Sequence, residues 1–257
     1  MESLARPLVA RMQVLPEWLS LQGPPLDFNA IWNIAQETVG QAENPLWREI
    51  RKRRLTASRF GEALRFHRSN GTSRFGLGEW SPPPSAIPAI TYGTANESRA
   101  IAEYERITGH AVAPTGVWLF PCRTLAASPD GLVLAQNIVV EAKCPYSLRD
   151  SPESACPKYL IENGTRLSPS HQYYHQIQGE IFATGARFAH LVVWTPARTR
   201  IIQVNRDEQW SGDAIPILQS VYNSHMRALV GMCGPCRDVY LSACSEWRNN
   251  YLFYLND

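Results

Sequence analysis

Ser128-Pro129-Asp130-Gly131-Leu132-Val133-Leu134-Ala135-Gln136-Asn137-Ile138-Val139-Val140-Glu141-Ala142-Lys143 is the stretch whose reading decides the fold. Pro-Asp-Gly marks a turn, and the apolar run from Gly131 to Leu134 predicts a short strand leaving it. Ile138 to Cys144 predicts a second strand, so the two fold back as a hairpin. Side chains alternate along a strand, which sets Glu141 and Lys143 on one face and turns Val140 and Ala142 to the other, apolar face. Asp130, at the turn into the hairpin, then comes to lie beside Glu141. Two carboxylates and a lysine converge at one end of a sheet.

Outward from this hairpin the period changes. Val117 to Cys122 and Thr124 to Ser128 predict further short strands. Upstream, Thr91 to Thr108 has helical spacing (Ala100, Ile101, Tyr104 and Ile107 on one face) and ends at Gly109. Ser58 or Thr56 is expected to cap a helix holding Phe60 and Leu64. Residues 68 to 90, with Pro82-Pro83-Pro84, read as a loop. Downstream, residues 157 to 164 predict a short helix and Pro169 to Thr184 a longer one closed by Gly185. Strands over Phe188 to Thr195 and Arg200 to Asn205 follow, joined by a turn at Pro196. The remainder reads as helix in two pieces split around Gly231 to Pro235. This order predicts an α/β (α+β) domain, a central mixed β-sheet flanked by helices. The expected division is residues 1–44 as N-terminal helical elements, 45–206 as the core and 207–257 as a C-terminal helical extension.

Composition excludes several classes. The chain has 257 residues, 44% hydrophobic and 19% charged, which is globular and neither disordered nor coiled-coil. No stretch approaches the roughly 20 apolar residues of a membrane span. Met1 to Leu19 lacks the pattern of a secretory signal, so an intracellular protein is expected, in the cytoplasm of a bacterial host or the nucleus of a eukaryotic one. The six cysteines are then mostly free thiols, and the sequons at Asn70, Asn96 and Asn163 are accidental. The net charge of +2 conceals an uneven distribution. Arg48, Arg51, Lys52, Arg53, Arg54, Arg59, Arg65, Arg68 and Arg74 face only Glu49 and Glu62 within one short block. Such a block is either a solvated face or a phosphate-binding patch, since arginine forks match phosphate geometry.

The carboxylates carry the chemistry. Clustered carboxylates repel unless a cation offsets them, and hard oxygen donors favour Mg²⁺ or Mn²⁺. A lysine beside such an ion can position an attacking water. Metal, water and a basic patch together describe phosphodiester hydrolysis. The plainer alternative is a surface ion pair of Glu141 with Lys143 next to an ordinary turn.

At this point the chain resembles the PD-(D/E)XK nucleases, in the lambda-exonuclease-like, YqaJ-type viral recombinase branch. The matching motifs are Arg51-x-x-x-Leu55-Thr56-Ala57-Ser58, Gly93-x-x-x-Glu97, Ser128-Pro129-Asp130-Gly131, Glu141-Ala142-Lys143-Cys144-Pro145 and Tyr173-x-x-Gln176-Ile177-Gln178, in that order. The resemblance implies a restriction-endonuclease-like core over 45–206. It implies that Asp130, Glu141 and the Ala142 carbonyl hold a metal, with Glu97 adding a second site or a water-mediated contact. Lys143 would position the nucleophilic water, Gln178 would orient water or substrate, and Tyr173 would line the groove. Arg51 would grip a phosphate, with Arg53 and Arg54 as near substitutes and Ser58 assisting.

The activity so implied is a Mg²⁺-dependent exonuclease on double-stranded DNA, working 5′ to 3′ in recombination or end processing. A structure-specific endonuclease, or a nuclease that also cuts RNA, fits the same residues. A binding module using the basic block alone is the alternative of another class. The resemblance also implies a single-strand annealing protein as partner and a ring of subunits, a trimer. Two further signals compete. His171 and His175 have a metal-ligand spacing, and Cys233-Gly234-Pro235-Cys236 has that of a redox or zinc motif, though a helix-breaking turn is the reading preferred here.

Overall fold

The computed structural model describes residues 20–21, 23–70 and 88–227. The hairpin is present as expected. Strand β4 (Gly131–Val133) pairs antiparallel with β5 (Ile138–Lys143), Gly131 opposite Val140. Asn137, in the left-handed conformation at φ 54°, lets the chain reverse between them. Next to β5 lies β8 (Phe188–Trp194), parallel, with Glu141 opposite Leu191, and then β9 (Thr199–Asn205), antiparallel, at the edge. This four-stranded mixed sheet has the order β4-β5-β8-β9. A second sheet of three short strands has the order β1-β3-β2, built from β1 (Leu55–Thr56), β2 (Trp118–Leu119) and β3 (Leu125–Ala127).

Strand alternation sorts the core into two layers. Val140 and Ala142 turn to one face of the sheet, where α4 (Pro88–Thr108) covers them with Ala100 and Tyr104. Val139 and Leu191 turn to the other, against α5 (Gln172–Thr184) through Ile177 and Ile181. That second layer continues into α1 (Phe28–Glu37), α2 (Pro45–Lys52), α3 (Phe60–Arg68) and α6 (Glu208–Val221), whose Ile31, Ile50, Phe60 and Leu218 belong to the same apolar cluster. Gly179 makes this close approach feasible, because a Cβ there would lie 2.6 Å from the Phe60 ring.

Several expectations change. Residues 157–164 are no helix: β6 (Leu160–Ile161) and β7 (Arg166–Leu167) form a small hairpin around a 3₁₀ turn at Glu162–Gly164. Positive φ at Glu162, Asn163 and Gly164 breaks the helical path, as an Asn-Gly pair favours. Neither Thr56 nor Ser58 caps α3. A 3₁₀ turn, Ala57–Arg59, leads into it, and the two hydroxyls contact each other at 3.2 Å. Helix α4 already includes Pro88 to Ile90, the three described residues before Thr91. Helix α5 starts at Gln172 instead of Pro169, because His171 Nδ1 accepts from the Tyr173 amide and caps it. Gly109 and Gly185 end their helices in the left-handed conformation as expected. Cys233, Cys236 and Cys244 and the split at Gly231 to Pro235 lie outside the described residues.

Candidate active site

The C-terminal end of β5 gathers the charged groups. Asp130 Oδ2 accepts from the Ala142 amide at 2.7 Å, which ties the Pro-Asp turn directly to the strand carrying Glu141 and Lys143. Gln41 holds the same turn from behind, its Nε2 donating to the carbonyls of Pro129 (2.7 Å) and Thr115 (3.2 Å). Lys143 Nζ donates to Glu141 Oε1 at 2.5 Å and rests 4.8 Å from the centre of the Tyr173 ring. Glu141 is 2% exposed, and its second oxygen, Oε2, is buried with no hydrogen-bond partner.

The electrostatics follow from this crowding. Burial first, then Glu141 and Glu97, hold the Asp130 carboxyl well above the usual carboxylate range, against the pull of Lys143. Burial alone would lower the Lys143 ammonium, but Glu141 and Asp130 outweigh it and hold it above its ordinary value. Glu97, on α4, stands at the mouth of the site. The residue as a whole is exposed, yet partial loss of water around its carboxyl, together with Glu141, raises its pKa. Its helix neighbours do not neutralise it: Arg106 pairs with Glu103, and Arg99 donates to Asn96.

Two residues here are ones the sequence reading passed over. Gln176 Nε2 donates to Glu141 Oε1 at 2.5 Å and to Glu180 Oε1 at 2.9 Å. Glu180 is 1% exposed, its Oε2 has no partner, and burial and Glu141 push its pKa well up. Gln178, expected to orient water or substrate, points elsewhere. It donates to the Asn205 carbonyl (2.8 Å) and accepts from the Asp207 amide (3.0 Å), bracing the turn from β9 into α6. On a helix, positions 173, 176, 177 and 180 share one face and 178 lies across the axis. Helical spacing from Tyr173 would therefore have selected Gln176 and Glu180.

The basic block divides as well. Arg51 reaches the site: its Nη1 donates to Ser128 Oγ at 2.9 Å, and its guanidinium lies 4.2 Å over the Trp47 ring, whose Nε1 also donates to Ser128 Oγ. Burial lowers its pKa to about 10, with Glu180 and then Glu141 opposing, so it stays charged at neutral pH. Arg54 is no substitute for it. It is 4% exposed and donates to the Arg123 and Ile50 carbonyls, a structural role. Ser58 is exposed, and its one hydrogen-bond partner among the described residues is Thr56. The His171–His175 pair is occupied otherwise, one as the α5 cap and the other accepting from Trp210 Nε1 at 2.9 Å.

The donor set suits a hard cation. Glu141 contributes a buried orphan oxygen, and Asp130 has Oδ1 left over after its bond to Ala142. Among the described residues no group of three His, Cys, Asp or Glu side chains is placed to hold a metal ion. Two carboxylates and the Ala142 carbonyl are thus the set that fits.

A restriction-endonuclease-like core with an aspartate, a glutamate and a lysine at the end of its central hairpin defines the class. More narrowly, residues 46–187 match the YqaJ-like viral recombinase domain, and the chain belongs to that family. The alkaline nuclease of Autographa californica nuclear polyhedrosis virus is 26% identical over 248 residues, covering 81% of this chain and 55% of that protein. This chain therefore spans about half the length of that relative. Among solved structures, an alkaline exonuclease from Laribacter hongkongensis superposes with a TM-score of 0.52 at 21% identity, covering 78% of this chain and 97% of that one. The KSHV SOX protein, solved in an RNA complex, superposes with a TM-score of 0.53 at 8% identity over 76% of this chain and 73% of that one. At these identities the structures speak for the fold. No helix among the described residues is long and apolar enough to cross a membrane.

Proposed function

We propose that this chain is a divalent-metal-dependent nuclease, using Mg²⁺ with Mn²⁺ as substitute, that degrades double-stranded DNA from 5′ ends in recombination or end processing. One observation carries the reading: Asp130 and Glu141 meet at the end of β5 with an unused oxygen each, and Lys143 is held beside them. Asp130, Glu141 and the Ala142 carbonyl would hold the ion, which when bound supplies a Lewis acid for the scissile phosphate. Lys143, kept protonated by its two carboxylates, orients a water by donating to its oxygen and offsets the charge that grows on the phosphate. The water oxygen bonds to phosphorus, the P–O bond to the leaving oxygen breaks, and the proton passes to solvent. Arg51, fixed by Ser128 and Trp47, grips a neighbouring phosphate through the remaining donors of its guanidinium fork. Tyr173 forms the groove wall against Lys143.

Named relatives support this: a viral alkaline nuclease by sequence and an alkaline exonuclease by fold. A ring of subunits and a single-strand annealing partner belong to the same proposal. The test is digestion of linear and covalently closed circular duplex with Mg²⁺. Loss of the linear form with the circle intact is expected. Cutting of the circle would assign an endonuclease, and binding without cutting in either would reject the nuclease.

A further inference from the structure

Gln176 has two amide protons and two carboxylate acceptors for them, Glu141 Oε1 at 2.5 Å and Glu180 Oε1 at 2.9 Å. That fixes which way round the amide sits. With the amide flipped, its carbonyl oxygen would lie 2.5 Å from Glu141 Oε1, an acceptor already taken by Lys143 Nζ, with no donor between the two oxygens. The carbonyl oxygen of Gln176 accordingly has no protein partner, and it is not among the buried orphan atoms, so it keeps access to solvent. Glu180 is the residue that completes this arrangement. It sits one helical turn after Gln176 on α5, is 1% exposed, and also faces the Arg51 guanidinium.

We propose that Glu180 is a positioning residue: it locks the Gln176 amide so that its carbonyl oxygen faces the cleft and accepts a hydrogen bond from the attacking water. Lys143 then donates to that water and Gln176 accepts from it, which fixes the direction of its lone pair toward phosphorus. Glu141 alone cannot hold the amide in this way, because a single acceptor leaves the second N–H free and lets the group swing. The assignment of the water rests on the nuclease reading. The lock itself does not.

The test uses the full chain with Glu180→Gln, which keeps the shape while offering the Gln176 amide a donor as well as an acceptor, and with Glu180→Asp. Glu180→Gln is expected to lower kcat roughly 10- to 100-fold with KM for DNA unchanged, the size of a lost orientation. Glu180→Asp, which keeps the carboxylate, is expected to recover part of it. Independently of turnover, the Gln176 side-chain NH₂ in ¹⁵N NMR without metal should show two separate, exchange-protected protons in the wild type. Those signals should lose protection in Glu180→Gln. A Glu180→Gln enzyme within twofold of wild type would overturn the proposal. So would unchanged Gln176 signals, even if activity fell. If the wild type cuts no DNA, the nuclease reading fails, while the NMR comparison still decides whether Glu180 locks the amide.

Discussion

Lys143→Met removes the ammonium while keeping most of the side chain's length. The ammonium lies 2.5 Å from Glu141 Oε1, with Lys143 21% and Glu141 2% exposed. At an effective dielectric of about 20, that contact alone is worth about 7 kcal/mol of attraction. Much of it is offset by the water each ion gave up, and breaking such a buried pair on one side costs about 3–4 kcal/mol in practice. Glu141 would be left with one neutral donor, Gln176 Nε2, and an oxygen that already lacks a partner. In a domain of this size the loss is roughly 10 °C in Tm. A divalent ion bound to Asp130 and Glu141 replaces the missing charge, so the loss should shrink in millimolar Mg²⁺. Thermal melts of wild type and Lys143→Met, with EDTA and with Mg²⁺, measure this directly. A variant that melts within 2 °C of wild type in EDTA would refute the electrostatic reasoning. A deficit that Mg²⁺ leaves untouched would refute the placement of the ion.

Other residues yield separate tests. Arg54→Met strips the donors from two buried carbonyls and should cost about 2–3 kcal/mol in denaturant unfolding. Arg51→Ala should reduce the preference for a 5′-phosphorylated end. Equal digestion of phosphorylated and unphosphorylated ends by the wild type would reject that role. His175 is held neutral, its pKa pulled to about 4 by burial and then by Arg68, Arg65 and His171. Its folded pKa is below the unfolded value, so its contribution is present above about pH 6.5 and is lost as pH falls toward 4. His175→Gln should flatten that limb of the stability–pH curve, and an unchanged limb would remove His175 as its source.

Much of the site was legible because strand alternation is rigid. Once the turn at Asp130 and the strand at Ile138 are read, Glu141 and Lys143 must share a face and Asp130 must stand beside them, as the bond from the Ala142 amide to Asp130 confirms. The helical contribution was less legible. The motif around Tyr173 contains two glutamines, and only the depth and rotation of α5 against the sheet decide that Gln176 reaches Glu141 while Gln178 braces Asn205 and Asp207. Charge counting failed at Arg54 for a similar reason. A run of four basic residues has no visible inside or outside until α2 packs, and then one of them is 4% exposed and structural. Residues 157–164 were misread because an apolar pair flanked by polar residues has no decisive period, and the left-handed turn at Glu162 to Gly164 set the outcome.

The most direct measurement of the central claim is digestion of end-labelled linear duplex by wild type, Asp130→Ala and Glu141→Gln, each with Mg²⁺ and with EDTA, alongside melts showing that the variants fold. Glu141→Gln removes the partner of Lys143 and Asp130→Ala the acceptor of the Ala142 amide, so both variants are expected to melt below wild type in EDTA while still unfolding cooperatively. Wild type should release label only with Mg²⁺, and neither variant should release it under either condition. Release of label by folded Asp130→Ala or Glu141→Gln protein at the wild-type rate would contradict the account.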